Sequence, residues 1–179
     1  FGSKFRSSDI ASLGILASLI VTILLFSGIV KVDNVTSTSI ANIISVDKYS
    51  LLLKVVVLLL SLSISTVGKE LISDTLKLRS EFWTLFMISL TGMIMLTSVT
   101  EMITAWVALE LTSLPLIGML SLNKQRYSLE ISFKYLILSA TSSAIILMGI
   151  SQLYGLSGST FFSGIMPLKD ALGGRFVFE

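Results

Sequence analysis

The sequence predicts an all-α fold, a polytopic membrane helix bundle, and three observations predict it. Hydrophobic residues make up 53% of the 179 residues and charged residues 13%. A soluble domain carries about 25% charge, so this chain has roughly half the polar coat that a water-facing surface needs. Its mean hydropathy is +0.91. Apolar stretches of the length that crosses a bilayer as a helix, about 20 residues, recur five times along the chain.

Taken in order, the first stretch covers residues 10–30 and holds no charge. It is too long for the apolar region of a secretory signal, and no Ala-x-Ala-like cleavage chemistry follows it. The chain opens on Phe1 in place of an initiator Met, which suggests that further sequence precedes it. The second span covers 49–67, with Lys54 near its start. The third, 82–100, lies between Glu81 and Glu101, and the fourth, 102–122, holds Glu110. The fifth, 131–154, holds Lys134 and is uncharged from Tyr135 past Tyr154. The turn at Glu101 is so short that the third and fourth helices must be antiparallel neighbours. The segment from Lys31 to Lys48, rich in Ser, Thr, Asn and Val, reads as a loop with room for a strand. The tail from Pro167 to Glu179 reads as lying on the membrane surface or against another chain. All 179 residues are expected to form one membrane domain.

Five spans put the two ends of the chain on opposite sides. The side of Phe1, side X, holds Lys4, Arg6, Lys69, Lys77, Arg79, Lys124 and Arg126. Side Y holds Lys31, Lys48, Lys169 and Arg175. Seven against four favours side X as the cytoplasmic or matrix side. With no Cys and no His, the chain offers no thiol chemistry, no usual zinc or haem site and no histidine base. A net charge of +2 without a basic block argues against a nucleic-acid partner. No cofactor or metal site is expected.

A charge inside a spanning helix costs about 2.5–3.5 kcal/mol at the helix centre and usually faces a bundle interior or a water-filled path. Glu110 lies about 13 Å from Glu101 and about 21 Å from Lys124 at helical rise, close to mid-membrane. Its side chain is too short to reach the interface. It reads either as a protonated, hydrogen-bonded structural Glu or as a residue of an ion path. Trp106 precedes it and Ser113 follows it on one helical face. Pro115 leaves the carbonyl of Leu111 without its helical donor and can bend the helix there. Lys134 reads as an i,i+4 partner of Glu130, as a lysine reaching to the interface, or as an ion-path residue. Ser139 and Ser143 share a face that suits close helix packing or a water-lined path. Lys54 reads first as a lysine reaching to side Y.

EMITAWVALELTSLPLIGML, from Glu101 to Leu120, and FKYLILSATSSAIILMGISQLYGLSGST, from Phe133 to Thr160, resemble NADH dehydrogenase subunit 2. That is an antiporter-like membrane-arm subunit of respiratory complex I. EFWTLFMISLTGMIMLTS, from Glu81, and VDKYSLLLKVVVLLLSL, from Val46, resemble the two preceding family helices. The similarity is strongest over 81–162 and weak before about residue 45. The GISQLYG segment favours subunit 2 over its relatives.

The resemblance implies that Glu110 is the central proton-pathway carboxylate and Lys134 its modulating partner. It implies family helices two to six, proton translocation coupled to NADH:ubiquinone oxidoreduction, and a mitochondrial inner membrane with residue 1 on the matrix side. A bacterial inner membrane is the less favoured location. NADH, FMN, iron–sulfur clusters and ubiquinone are expected in other subunits, with none bound by this chain. Other membrane-arm subunits and the lipid bilayer are the expected partners. Ser139 stands where the family usually has Gly. The broken seventh helix and the second inverted repeat are absent, so the expectation is a fragment, a split-gene product or a shortened subunit. In the split-gene case a separate chain supplies the C-terminal half. Two alternatives are a scaffold subunit with an inactive ion path and a subunit of a multisubunit cation/proton antiporter.

Overall fold

The computed structural model describes residues 7–28, 43–75 and 79–164, with residues 7 and 70–75 described by their backbone alone. Among these residues there are five helices and no strand. They are α1 (Ser7–Phe26), α2 (Lys48–Thr75), α3 (Arg79–Leu96), α4 (Met102–Ser121) and α5 (Arg126–Ser157). The all-α membrane bundle expected from composition is what forms. Among the described residues four helices are long and apolar enough to cross a membrane, within Ser8–Phe26, Lys48–Lys69, Met102–Ser121 and Arg126–Ser157. The 18-residue α3 carries Arg79 and Glu81 in its first turn and is not among these four. It nevertheless runs back along α4 as its antiparallel neighbour, as the short turn at Glu101 requires.

The helix ends differ from the hydropathy boundaries for physical reasons. Hydropathy marks the part in lipid, whereas backbone hydrogen bonding continues into water. So α2 extends past Lys69, and α5 begins at Arg126 rather than 131. At 32 residues α5 is about 48 Å long, more than the ~30 Å hydrocarbon core, so it tilts or projects. α3 ends early, at Leu96, because the next residues pair elsewhere. Val99 bridges Ile44 and Glu101 bridges Phe161, both antiparallel. The backbone of Ser45 donates to Ser98 (2.7 Å), Thr100 to Ile43 (2.8 Å), Met102 to Thr160 (2.9 Å) and Phe162 to Thr100 (3.1 Å). Three side-Y connections are thereby tied into one cap. The described part of the segment from Lys31 to Lys48, where a strand is expected, holds an isolated bridge at Ile44; residues 29–42 and the expected tail from 167 lie outside the described residues.

Packing follows chain order: α1 on α2, α3 on α4, and α4 on α5, with α3 also meeting α1 and α2. Ile15, Leu58 and Leu90 form the core where α1, α2 and α3 meet, with Leu19, Val57, Leu62, Phe86, Met87 and Ile94 around them. At the side-X end, Lys69 pairs with Asp9 (3.1 Å) and donates to Ser12 (3.0 Å), which joins α2 to α1. At this exposure such a pair contributes less than about 1 kcal/mol. Near the start of α3, Trp83 is buried and makes edge contacts with Phe82 and Phe86.

The α3–α4 contact is the closest. A Cβ on Gly92 would lie 2.8 Å from the Thr112 backbone nitrogen and 2.9 Å from the Leu111 carbonyl carbon. Only glycine allows the two backbones to approach so far. One turn earlier, Ser89 donates to the Thr112 carbonyl at 2.9 Å. α4 continues unbroken through the buried Pro115.

Candidate functional site

α4 lies between α3 and α5, and its sequence supplies a different surface to each. Ala108, Thr112 and Pro115 share the side toward α3, where Ala108 is fully buried and Thr112 meets Gly92 and Ser89. Trp106 lies half a turn round the helix from Pro115 and faces α5. Its indole N–H donates to the Ser143 hydroxyl at 2.7 Å.

Glu110 is half-buried and lies one turn beyond Trp106, at the rim of the α4–α5 seam. The flank beside it carries the exposed apolar residues Ile103, Val107 and Leu114. Among the described residues its carboxylate has neither a hydrogen bond nor an ion pair. The Ser113 hydroxyl reaches only its backbone carbonyl, at 3.4 Å. A short acidic side chain is thus held at mid-helix without a fixed partner.

α5 runs antiparallel to α4, so the Trp106–Ser143 bond fixes their register. One turn toward side X from that bond are Glu110 on α4 and Ser139 on α5, which brings the two to one level. Ser132, Ser139 and Ser143 share the side of α5 that meets α4, Ser132 buried and the other two half-buried. Among the described residues the Ser139 hydroxyl has no partner and the Ser143 hydroxyl donates none. Small hydroxylated residues let the helices approach and leave donors in the seam.

Lys134 is placed elsewhere. It is nine residues before Ser143, half a turn round α5, on the side away from α4. Its side chain is 72% exposed and its ammonium pairs with Glu130 at 2.6 Å, the i,i+4 pairing that is one of its sequence readings. No bond joins Lys134 to Glu110. Lys54 is half-buried on the side of α2 that also holds Leu58, Ser61 and Ser65, and among the described residues it makes no ion pair. That side faces the bundle, which goes against a lysine simply reaching to water.

Glu101, at the cap of α4, is a site that sequence reasoning used only as a span boundary. Its carboxylate accepts from Thr104 (2.6 Å) and Thr160 (2.7 Å) and so joins the start of α4 to the segment after α5. The Thr104 bond and then the Thr160 bond hold it below the ordinary carboxylate range. The signal available was Thr104 three residues after Glu101; Thr160 is too distant in sequence to suggest itself.

Comparison with known proteins bears on this region. Residues 99–175, which include Glu110 and Lys134, match the family model described as NADH:quinone oxidoreductase/Mrp antiporter, TM. Over 159 residues, 88% of the chain, it is 30% identical to NADH-quinone oxidoreductase subunit N of Acinetobacter baumannii and covers 31% of that protein. Over 82 residues, 45% of the chain, it is 46% identical to the protein of the same name from Buchnera aphidicola and covers 17% of it. Among solved structures it is similar to a chain of respiratory complex I from Thermus thermophilus with bound aureothin. The TM-score is 0.69 at 25% identity, covering 87% of this chain and 32% of that one. The chain therefore spans about a third or less of the length of these relatives. Sequence and structure together resemble part of a complex I antiporter-like subunit, a multi-pass membrane protein.

Proposed function

We propose that this partial antiporter-like subunit works as a core membrane-arm subunit of proton-translocating NADH:ubiquinone reductase, the counterpart of subunit 2, with Glu110 carrying the proton. The observation that supports it best is Glu110 itself, half-buried in α4, free of any fixed partner among the described residues, and inside the segment that matches the family model. A lipid-facing carboxyl would stay protonated and idle. One at the rim of a hydroxyl-lined seam can exchange its proton through water.

The chemistry needs no redox group in this chain; NADH, FMN, iron–sulfur clusters and ubiquinone belong to other subunits of the proposed complex. In a low dielectric a carboxyl keeps its proton, and an approaching ammonium favours release. A unit charge brought to about 7 Å at an effective dielectric near 20 is worth about 2.4 kcal/mol, enough to move a proton equilibrium more than tenfold. In this register Lys134 stays on Glu130 on the far side of α5, so in the proposed assembly the ammonium that reaches Glu110 is a lysine of a partner chain, and Lys54 belongs to the bundle interior on side Y. The rest of the path comes from sequence corresponding to the two thirds of the relatives that this chain does not span, and other membrane-arm subunits cover the exposed flank of α4. The proposed location is the mitochondrial inner membrane, residue 1 on the matrix side, in line with the Lys/Arg bias.

The test is proton translocation by the reconstituted complex carrying Glu110→Gln, with assembly followed on native gels. The expected result is loss of pumping with assembly retained, and a milder loss for Glu110→Asp. Unchanged pumping would reduce Glu110 to a structural residue. A second reading, a scaffold subunit with an inactive path, draws support from the Lys134–Glu130 pair, and loss of assembly in Glu110→Gln would favour it.

A further inference from the structure

Trp106 lies on the same side of α4 as Glu110, one turn toward side Y, and makes the one side-chain hydrogen bond that joins α4 to α5 among the described residues. Apolar contact alone would let the two helices slide, because lipid solvates Leu and Ile as well as a neighbouring helix does. A directional N–H···O bond at 2.7 Å fixes both the rotation and the register of α5 against α4.

The bond also orients a hydroxyl. A serine inside a helix commonly turns its hydroxyl back onto its own backbone, and Ser132, Thr141 and Ser142 on α5 do so. Ser143 does not; it accepts from Trp106, and its own hydrogen makes no bond among the described residues. With the indole on one side of the oxygen, that hydrogen is left for the seam. One turn toward side X, Ser139 also has an uncommitted hydroxyl, at the level of Glu110. On the other side of α4, Gly92 and Ser89 hold Thr112. The segment bearing Glu110 is therefore fixed on both flanks, at Trp106 and at Thr112, while the carboxylate between them is not.

We infer that Trp106 is a positioning residue for Glu110, which through Ser143 sets the α4–α5 register and presents the Ser143 and Ser139 hydroxyls to water that serves the carboxylate. The inference rests on the reading of Glu110 as the proton carrier. It assigns Trp106 no contact with the moving proton.

The test uses the assembled membrane complex containing this chain, reconstituted in vesicles, with Trp106→Phe, Ser143→Ala, the double variant, Ser143→Thr and Glu110→Gln compared. Phe keeps a ring and removes the N–H; Thr keeps the hydroxyl. Each of Trp106→Phe and Ser143→Ala should slow proton translocation about three- to tenfold, the range a single hydrogen bond supports. The double variant should be no slower than the slower single by more than about twofold, because both remove one bond. Ser143→Thr should stay within about twofold of the native rate. Native rates in both single variants, beside a Glu110→Gln that does not pump, would overturn the inference and leave the Glu110 reading standing. Multiplying losses in the double variant would overturn it too, since they mark two unrelated defects. Normal pumping in Glu110→Gln would instead remove the reading beneath it. Should Trp106→Phe fail to assemble, Ser143→Ala against Ser143→Thr decides: equal losses count against the inference, and rescue by Thr supports it.

Discussion

Glu101 caps α4 and Glu110 lies nine residues further on within it, and the two carboxylates differ in their partners. Glu101 is at the side-Y cap with two hydroxyl donors, which favour its charged form. Its value in the folded protein lies below its unfolded one. The clasp it makes is therefore fully present above the ordinary glutamate range and is lost as pH falls through the lowered folded value. Acidification below the ordinary glutamate range should lower the protection factors against hydrogen exchange of the Met102 and Phe162 amides, which bond beside the clasp, before those of the α3 and α4 interiors fall. Thr160→Val should bring the same loosening at neutral pH. Equal protection at both pH values would remove Glu101 from the clasp. Of these two residues only Glu110 was legible in the sequence, because depth in a span can be counted from its ends. The Thr160 bond depends on where the chain returns after α5, which no local pattern encodes.

At the scale of elements, the α3–α4 pair is built on Gly92. Adding a methyl there would meet the Thr112 and Leu111 backbone, which cannot rotate out of the way. Gly92→Ala should therefore cost about 1–3 kcal/mol, the usual range for overpacking. It should appear as a lower temperature for loss of the assembled complex on native gels after heating. Native heat tolerance would show that α3 and α4 can separate freely. Helix existence was readable from charge-free lengths, and the antiparallel α3–α4 turn from the short connection. Rotation was not. Ser143 and Lys134 are both polar residues on α5, yet one meets α4 and the other faces away, and the Trp106–Ser143 bond shows which. The early end of α3 was equally hidden, since Val99 looks as helical as its neighbours until Ile44 pairs with it.

For the whole molecule, five antiparallel helices place residues 122–125 and residues 158–164 at opposite ends of the bundle. Residues 1–179 hold no cysteine, so a cysteine placed here is the one thiol of this stretch. Asn123→Cys should react with a membrane-impermeant thiol reagent from the matrix or cytoplasmic side, and Ser163→Cys from the other. Labelling of both from one side would show that α5 does not cross the membrane.

The proposed function turns on one proton at one carboxyl. The most direct measurement is an infrared difference spectrum of the assembled complex between its resting and turning-over states, with Glu110→Gln as the assignment control. A carboxylic C=O band that changes during turnover, shifts in heavy water and is missing from Glu110→Gln is the predicted result. A spectrum of Glu110→Gln identical to the native one, with pumping intact, would contradict it.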